Sequence, residues 1–458
     1  MQFRMMLRHS VWAMVMAAGV ISCGCKQGGP SADSSSTSGS SDGVHAESSV
    51  GKPIGEPSQA AASGSVAVVP APPKRGPMNV ILLVVDAMRA DMPWDGYERD
   101  IAPNLTKLHA KSVSYERGYS ISSYTSKSVG GLLSGQYPSS LVRTSPFFTL
   151  YKDENVFMAE VLQQHGIRTL GAHAHMYHLK AAGFHQGFDV WRMVPGIDWD
   201  FNKDPYITAP SHTKLINEIH ADPLNTSGQF FAYYHYMDPH HVYNTHAIAP
   251  KFGNKARDKY DGEIWFADYH IQQMLEFVEQ QPWGDRTAII VTSDHGEAFG
   301  ERSFWQHAYE LYEVLIRVPL FVYLPGEEPR KIARWRGHID IVPTIYDLMG
   351  VPIPEGLPGT SLLPELRGED VPQRPIISDL PADTYNARKR VLIDEDGYKL
   401  AVLGVDRPYE MFNVKDDPGE SKNLIGEDKE RAASMMSRYK ELSSQIPFRE
   451  AIGGPVKK

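Results

Sequence analysis

Two short apolar runs organise the pattern along the chain, and both end abruptly in polar residues. Asn79–Val85 reads NVILLVV and is followed by Asp86, while the run at residues 288–291 leads into the segment TSDHGE. Continuous runs rich in β-branched residues are typical of strands that are buried on both faces of a sheet. Because open α/β sheets bind ligands at the carboxyl ends of their strands, we expect both polar exits to lie at one functional edge.

The remaining pattern alternates between strand-like and helix-like segments. The predicted strands are residues 113–119, 167–172, 229–236 and 318–324, and the predicted helices are residues 103–111, 156–165, 213–220, 261–280, 309–317 and 344–349, with one more helix that starts near Thr125 and stops at Gly135. This alternation predicts a layered α/β domain with a central, mostly parallel sheet between helices. We assign residues 78–370 to this domain.

From about residue 375 the pattern changes to short strands joined by turns. The predicted strands are residues 376–378, 389–393, 398–402 and 410–413, and a closing helix is predicted at residues 429–444. This pattern predicts a small C-terminal α+β subdomain, which we assign to residues 371–458 and expect to pack on the main domain.

The N-terminal residues are typical of an export signal. Two arginines precede an apolar run at residues 11–21, and this run is too short to span a membrane. The order VISC at residues 20–23 resembles a bacterial lipobox and predicts a lipid on Cys23, with ordinary signal cleavage near Cys23 as the alternative. We therefore expect residues 1–22 to be a lipoprotein signal peptide. The mature protein would be exported and anchored to a bacterial membrane on its periplasmic or cell-surface side.

Composition narrows the class of protein. Residues 23–77 are mostly Ser, Gly, Ala and Pro, and they predict a disordered tether. The 458 residues are 42% hydrophobic, enough for one large domain with an appendage. The net charge of −9 is mild and unclustered, which argues against a nucleic-acid partner. Because Cys23 and Cys25 are the only cysteines, the folded body has neither a disulfide nor a cysteine nucleophile.

The two polar exits carry residue types that bind metal ions. Asp86 is a carboxylate at the end of a central strand, and Asp294 and His295 follow the second strand, where Gly296 lets the backbone come close. Two plainer interpretations stay open. Asp86 could cap a following turn, and His295 could be a hydrogen-bonded histidine at an ordinary strand exit.

A cluster of hydroxyl residues, SSYTSKS at residues 122–128, runs into the next predicted helix. A hydroxyl group or a bound anion at a helix N-terminus gains from the helix dipole, and plain capping by Thr125 or Ser126 is the alternative. Lys127 either binds an anionic oxygen or is a solvated charge. Arg89 either binds substrate or pairs with Asp91.

Histidines follow two further predicted strands. After the strand at residues 167–172 come His173, His175, His178 and His185, whose spacing fits no familiar metal site, so we expect a solvated or substrate-facing loop. The strand at residues 229–236 leads into Asp238, Pro239 and His240. Polar side chains thus collect at one more strand exit.

Taken in chain order, the sequence segments at these strand ends resemble the motifs of the sulfatase branch of the alkaline phosphatase superfamily. VVDAMRAD is similar to the family's first metal-binding strand, SSYTSKSVGGLLSGQYP to its nucleophile segment and SDHGEAFGE to its second metal motif. LYEVLIRVPLFVYLPG, HIDIVPTIYDLMGVPIP and YEMFNVKDDPGESKNL are similar to later landmarks of the family. The ordered match runs from Met78 into the C-terminal region. It implies an alkaline-phosphatase-like fold and metal-dependent ester chemistry.

The resemblance implies catalytic roles for three residues. Thr125 falls at the nucleophile position, and His240 matches a histidine that contacts the anionic group or the leaving oxygen of the substrate. His307 lies near a position where the family has a basic residue. Thr125 would attack the ester to form a covalent intermediate, and His240 or His307 would protonate the leaving alcohol.

Two departures from the family pattern change the implied chemistry. True sulfatases convert a Cys or Ser within C/S-x-P-x-R into formylglycine, whereas residues 125–129 read TSKSV, so we expect no formylglycine. Ala87 stands where many calcium sulfatases carry a second Asp. The implied metal ligands Asp86, Asp294 and His295, together with a threonine oxygen, then suit one Mn²⁺ or Zn²⁺ ion better, with Ca²⁺ and Mg²⁺ left open.

The first functional hypothesis is an exported, metal-dependent hydrolase that cleaves sulfate or phosphate esters through a covalent Thr125 intermediate. Its substrate would be an anionic ester on a glycan or a lipid headgroup. A threonine at the nucleophile position also resembles the lipoteichoic acid synthase and phosphoethanolamine transferase relatives of the family. A transferase that moves phosphoglycerol or phosphoethanolamine headgroups is therefore an alternative. That alternative is less favoured because we find no multi-helix membrane region in the sequence. A non-catalytic binding lipoprotein ranks last, because binding alone would not require Thr125 beside three metal ligands.

Overall fold

The structure, a computed structural model, describes residues 76–197 and 207–453. The expected signal peptide, the lipidation site at Cys23 and almost all of the expected tether lie outside the described residues. Within the part of the chain that is described, no helix is both long and apolar enough to cross a bilayer.

The secondary structure follows the sequence pattern closely. The strands are β1 (Asn79–Val85), β2 (Val113–Tyr119), β3 (Arg168–His173), β4 (Val190–Met193), β5 (Phe230–Tyr236), β6 (Thr287–Thr292), β7 (Ala298–Phe299), β8 (Trp305–Gln306), β9 (Arg317–Val318), β10 (Leu320–Tyr323), β11 (Arg330–Gly337), β12 (Ile376–Leu380), β13 (Lys389–Ile393), β14 (Tyr398–Val402) and β15 (Glu410–Asn413). The helices are α1 (Pro103–His109), α2 (Thr125–Ser134), α3 (Met158–Gln164), α4 (Ala209–Ala221), α5 (Pro223–Thr226), α6 (Ala256–Glu279), α7 (Glu313–Ile316), α8 (Ile341–Met349), α9 (Leu363–Leu366) and α10 (Lys429–Ser444).

The main sheet places several strand exits at one edge. Nine described strands form this sheet in the order β11-β2-β10-β6-β1-β5-β3-β4, with β9 paired to β2. β1 has β5 and β6 as parallel neighbours, so the carboxyl ends of these three strands meet. β10 runs antiparallel to both β6 and β2, which makes the sheet mixed. The predicted α/β fold with a central sheet between helices is confirmed.

Side chains of the central strand enter two hydrophobic cores. Val80, Leu82 and Val84 face one side of the sheet, where helices α2 and α8 pack. Ile81, Leu83 and Val85 face the other side, where α1, α4 and α6 pack. Because successive side chains of a strand point to opposite faces, an unbroken apolar run is what a strand with two buried faces requires.

The C-terminal sheet is antiparallel and lies in the order β12-β13-β14-β15. One of its faces packs on the main domain through a core that includes Val391, Phe412 and Tyr119. The opposite face buries Leu392 and Leu400, among others, against α10. The predicted α+β subdomain is therefore confirmed as an architectural unit.

The sequence-based prediction differs from the structure in several places, and the edge strand β4 was among the elements not expected. The helix expected at residues 309–317 is wrong except for the single turn α7, because the chain there bonds to neighbouring segments. The carbonyl groups of Leu315 and Ile316 accept hydrogen bonds from the backbone N–H groups of Gly296 and Ser120. The edge strand β11 was not expected from its sequence RKIARWRG, where basic residues mask the strand pattern.

Candidate active site

The exits of β1 and β6 are tied together by backbone hydrogen bonds. The N–H of Ala87 donates to Asp294 Oδ1 at 3.2 Å, and the N–H of Met88 donates to Ser293 Oγ at 2.8 Å. Ala87 adopts a left-handed backbone conformation with φ of 55°, which turns the chain sharply after Asp86. The two carboxylates that the sequence singled out are thereby held side by side.

Asp86, Asp294 and His295 form a compact cluster of metal-type ligands. One ligand atom of each residue lies within 4.8 Å of those of the other two, and all three side chains are fully buried. His295 Nε2 is 3.3 Å from Asp294 Oδ2 and 3.9 Å from Asp86 Oδ1. The structure thus brings together the three residues that the sequence assigned to a metal.

The carboxylates of this cluster lack the partners that buried charges need. Both oxygens of Asp86 and Oδ2 of Asp294 have no hydrogen-bond partner among the described residues. Burial, together with the nearby charges of Asp294 and Glu297, raises the pKa of Asp86 well above its usual range. An unpaired buried carboxylate is costly, and a divalent cation is the partner that carboxylate and imidazole donors suit. The donor set therefore fits a metal ion.

Thr125 lies at the start of α2 and points its hydroxyl group at the cluster. Thr125 Oγ1 is 3.1 Å from His295 Nε2, while His295 Nδ1 is 2.9 Å from the carbonyl oxygen of Gly296. Because a carbonyl only accepts, the ring proton is on Nδ1 and the threonine hydroxyl donates to Nε2. Burial lowers the pKa of His295 to about 4, so the ring is neutral at pH 7. A neutral ring that carries its lone pair on Nε2 is the form that ligates metals.

His240 and His307 complete the group of predicted catalytic residues. Their ring centroids are 5.1 Å apart, and the His307 ring stacks on His295 with a centroid distance of 4.2 Å. Both residues keep partial solvent exposure. Desolvation lowers the pKa of His240 to about 3 and that of His307 to about 4, so both rings are neutral in the ligand-free site. The two imidazoles lie beside the Thr125 and His295 pair.

Glu297 holds His307 and was not among the residues selected from the sequence. His307 Nδ1 is 3.2 Å from both carboxylate oxygens of Glu297, whose side chain is buried. A ring N–H that donates to a carboxylate fixes both the tautomer and the orientation of the imidazole. The signal was present in the sequence, because Glu297 ends the segment TSDHGE.

The two cations predicted to bind substrate are engaged with protein groups. Lys127 is fully buried, and its Nζ donates to Asp383 Oδ2 and to the carbonyl oxygen of Phe147, both at 3.0 Å. Arg89 pairs with Asp91 and Glu301 at 2.8 Å. The structure does not bring Lys127 or Arg89 into the Asp86 cluster as ligands, and their roles toward a substrate stay predictions.

The histidines after β3 differ from the expected solvated loop. His173, His175 and His178 are buried, and only His185 keeps some exposure. His178 packs against His235 of β5 with a ring-centroid distance of 4.7 Å. Burial lowers the pKa of His173 to about 3, so it is a neutral ring inside the protein.

Comparison with known proteins agrees with this geometry. Residues 78–351 match the family model described as Sulfatase. The chain belongs to the sulfatase family. Residues 300–445 also match the model described as N-sulphoglucosamine sulphohydrolase, C-terminal. The resemblance drawn from the strand exits is confirmed at the level of the family, and sulfatase-family enzymes are metal-dependent ester hydrolases.

Individual relatives in this sulfatase family differ in how much they share. A choline-sulfatase of Rhizobium meliloti is 30% identical over 173 residues, which are 37% of this chain and 33% of the relative. An ulvan-active sulfatase of Formosa agariphila is 22% identical over 435 residues, covering 81% of this chain and 83% of the relative. The crystal structure of a phosphonate monoester hydrolase of Agrobacterium radiobacter superposes with a TM-score of 0.66 at 17% identity. That match covers 80% of this chain and 95% of the other, and it shows a shared fold.

Proposed function

We propose that this sulfatase-family protein hydrolyses sulfate or phosphate esters, with Thr125 as nucleophile. The observation that supports the proposal is the hydrogen bond of 3.1 Å between Thr125 Oγ1 and His295 Nε2 at the edge of the unpaired carboxylates. A binding protein gains nothing from a hydroxyl group at this point. At this distance from the metal-type ligands a bound cation would lower the pKa of the hydroxyl group, as a nucleophile requires.

Asp86, Asp294 and His295 are the residues that would hold a divalent metal. When bound, such an ion would lower the pKa of the Thr125 hydroxyl and offset negative charge on the ester oxygens. Two carboxylates and an imidazole favour Mn²⁺ or Zn²⁺ over Ca²⁺. The charge that the two buried carboxylates place side by side is then balanced.

Thr125 opens the reaction and is restored at its end. Its Oγ1 gives up its proton to solvent and forms a bond to the sulfur or phosphorus atom, while the bond from that atom to the ester oxygen breaks. The departing alkoxide takes a proton, and Thr125 is left as a sulfate or phosphate ester. Attack of water on the same sulfur or phosphorus atom then releases the inorganic anion and returns the threonine hydroxyl.

His240 and His307 are the groups placed to protonate the leaving alcohol. Their neutral state without ligand is a consequence of desolvation, and an anionic ester bound beside the two rings would favour their charged form. Glu297 orients His307 through its Nδ1 and keeps the other ring nitrogen available. Binding of the anionic substrate thus favours protonation of the histidine that then acts as the general acid.

Sulfate esters of glycans are the substrate class that the relatives favour. The relatives include enzymes named as an ulvan-active sulfatase and an N-acetylglucosamine-6-O-sulfatase. Phosphate esters remain part of the proposal, because Thr125 replaces the residue that becomes formylglycine in true sulfatases.

We further propose that a lipid on Cys23 holds the exported enzyme at a membrane, as its lipobox-like segment favours. A C23A variant should then lose its membrane association.

A paired assay tests the chemistry. The full chain is stripped of metal, reloaded with Mn²⁺, Zn²⁺ or Ca²⁺, and given an aryl sulfate and an aryl phosphodiester in parallel. We expect metal-dependent turnover of at least one ester by the wild type and by T125S, and none above background by T125V, which keeps the side-chain shape without the hydroxyl group. Equal turnover by T125V would remove Thr125 as the nucleophile. Transfer of the group to an added alcohol instead of water would indicate a transferase.

A further inference from the structure

His235 lies on the same face of the sheet as the metal-type carboxylates. In the parallel pairing of β1 with β5, His235 is the partner of Val84, and on the other side of β1 Val84 pairs with Thr292. Side chains of paired residues in neighbouring strands point to one face, and every second residue of a strand does the same. Asp86, two residues after Val84, therefore continues the row to which the His235 side chain belongs.

The distances confirm that His235 reaches both carboxylates. Its Nε2 is 3.4 Å from Asp86 Oδ2 and 3.7 Å from Asp294 Oδ2. His295 lies at 3.9 Å and 3.3 Å from the same two side chains. Donor atoms that surround a metal tetrahedrally at about 2.1 Å are about 3.4 Å apart from one another. The separations of His235 Nε2 from the two carboxylates fit a ligand atom. The group whose ligand atoms all lie within 4.8 Å of one another contains Asp86, Asp294 and His295 without His235, so one ion would meet all four donors only after the His235 ring shifts toward it.

The polar neighbours of His235 Nε2 are the carboxylates of Asp86 and Asp294, so its ring either coordinates the same cation or donates to these carboxylates from outside the metal shell. Both ring nitrogens of His235 lack a hydrogen-bond partner of good geometry among the described residues, although the side chain is completely buried. His212 likewise has neither ring nitrogen hydrogen-bonded in good geometry among the described residues, so what distinguishes His235 is its place beside the two carboxylates. A buried polar atom without a partner is costly, and a hydrophobic residue would fill the space at lower cost.

We propose that His235 is a fourth metal ligand, which gives a site of two carboxylates and two imidazoles. This inference rests on the metal-dependent function proposed above. His235 would supply the donor that the chain lacks at Ala87. A donor set with two nitrogens favours Zn²⁺ or Mn²⁺ and disfavours Ca²⁺, which prefers oxygen ligands.

Metal affinity tests the assignment without using catalysis. Zn²⁺ and Mn²⁺ are titrated calorimetrically into the chelator-stripped full-length wild type, H235Q and a control, H212Q. His212 is also buried and packs against Tyr236 with a ring-centroid distance of 4.5 Å, but the structure does not put it beside the carboxylates. We expect H235Q to bind Zn²⁺ more than about 100-fold more weakly, beyond the 10- to 100-fold that loss of an outer-shell partner costs. H212Q should bind as the wild type does.

X-ray absorption of the zinc-loaded wild type provides a second test that does not depend on any variant folding. The multiple-scattering pattern of imidazole should require two histidine ligands. One imidazole, or unchanged Zn²⁺ affinity in a folded H235Q variant, would overturn the proposal while leaving the three-ligand site intact. If the wild type itself binds neither Zn²⁺ nor Mn²⁺, the metal-dependent function fails together with this inference.

Discussion

Among single residues, Asp86 shows most clearly that the site is built around a charge that the protein alone does not balance. Its carboxylate is completely buried, has no hydrogen-bond partner among the described residues and lies next to a second carboxylate, Asp294. Arrangements of this kind destabilise a fold unless a cation is bound. The side chain is therefore better explained by binding than by stability.

Replacing Asp86 by Asn should separate the stability of the metal-free protein from its response to metal. We expect D86N to be at least as stable as the wild type after chelation, because one of two adjacent buried charges is removed. Saturating Zn²⁺ or Mn²⁺ at about 100 times Kd should stabilise the wild type by about 2.7 kcal/mol and D86N by much less. Urea unfolding with and without metal measures both effects. Equal stabilisation of D86N by metal would contradict the ligand assignment.

Glu297 should act through His307. We expect E297Q to lower kcat on the order of 100-fold with little change in KM, because the carboxylate that orients the imidazole is lost while the metal ligands remain. H307Q should cost a similar factor, and the double variant E297Q/H307Q should cost no more than H307Q alone. Steady-state kinetics of the wild type, the two single variants and the double variant complete a double-mutant cycle. Fully multiplicative losses would show that the two side chains act independently.

Among helices and strands, sequence patterns located the elements well and the contacts between them less well. The observed bounds of β1, β2 and α10 agree with the predicted ones, because each segment has the distribution of hydrophobic residues that is typical of its type of element. The length of helix α7 was overestimated, because tertiary hydrogen bonds, which leave no local signal in the sequence, hold the chain extended on either side of it. His235 was missed as a site residue for a related reason. All residues of β5 are buried, so only the register with β1 distinguishes its side chain.

The contact between α1 and α6 should make stability depend on pH. Asp268 accepts hydrogen bonds from the backbone N–H groups of Asn104 and Leu105, and burial raises its pKa to about 6. An unfolded aspartate has a pKa near 3.9, so the folded protein binds the extra proton between about pH 4 and 6. The free energy of unfolding contributed by Asp268 therefore falls as the pH rises through this window.

Urea unfolding of the wild type and D268N at pH 4.5 and 7.5 measures this contribution. Relative to D268N, the wild type should lose on the order of 2 kcal/mol between the two pH values. D153N, at an exposed position, serves as the matched control and should run parallel to the wild type. A difference between the wild type and D268N that does not change with pH would show that Asp268 is charged throughout.

Across the whole chain, the C-terminal subdomain is attached to the segment that carries Thr125. Lys127, two residues into α2, pairs with Asp383 between β12 and β13. Asp379 of β12 accepts from the N–H of Ser139 and pairs with Arg390 at 2.8 Å. Buried ion pairs fix geometry more than they add stability. The subdomain therefore contacts and holds the N-terminal part of α2, the helix that carries Thr125.

Variants of the Lys127 and Asp383 pair test this link and the predicted substrate role of Lys127 together. D383N leaves a buried ammonium without its partner and should lower the free energy of unfolding by about 3–5 kcal/mol. The double variant K127M/D383N should recover most of that loss, because the ammonium is gone and the amide oxygen can still accept from the backbone N–H groups of Tyr385 and Asn386. If Lys127 only supports the fold, the double variant keeps a wild-type KM. A higher KM in this folded variant would instead support a contact between Lys127 and the substrate.

The most direct test of Thr125 as nucleophile is the mass of the tryptic peptide spanning residues 118–127, isolated after an acid quench of the metal-loaded enzyme during turnover. We expect a fraction of this peptide to carry the transferred sulfo or phospho group, with fragmentation locating it on Thr125 and not on the neighbouring serines. T125V should show neither the modified peptide nor turnover. Turnover that continues in T125V, with the wild-type peptide unmodified throughout, would contradict a covalent threonine intermediate.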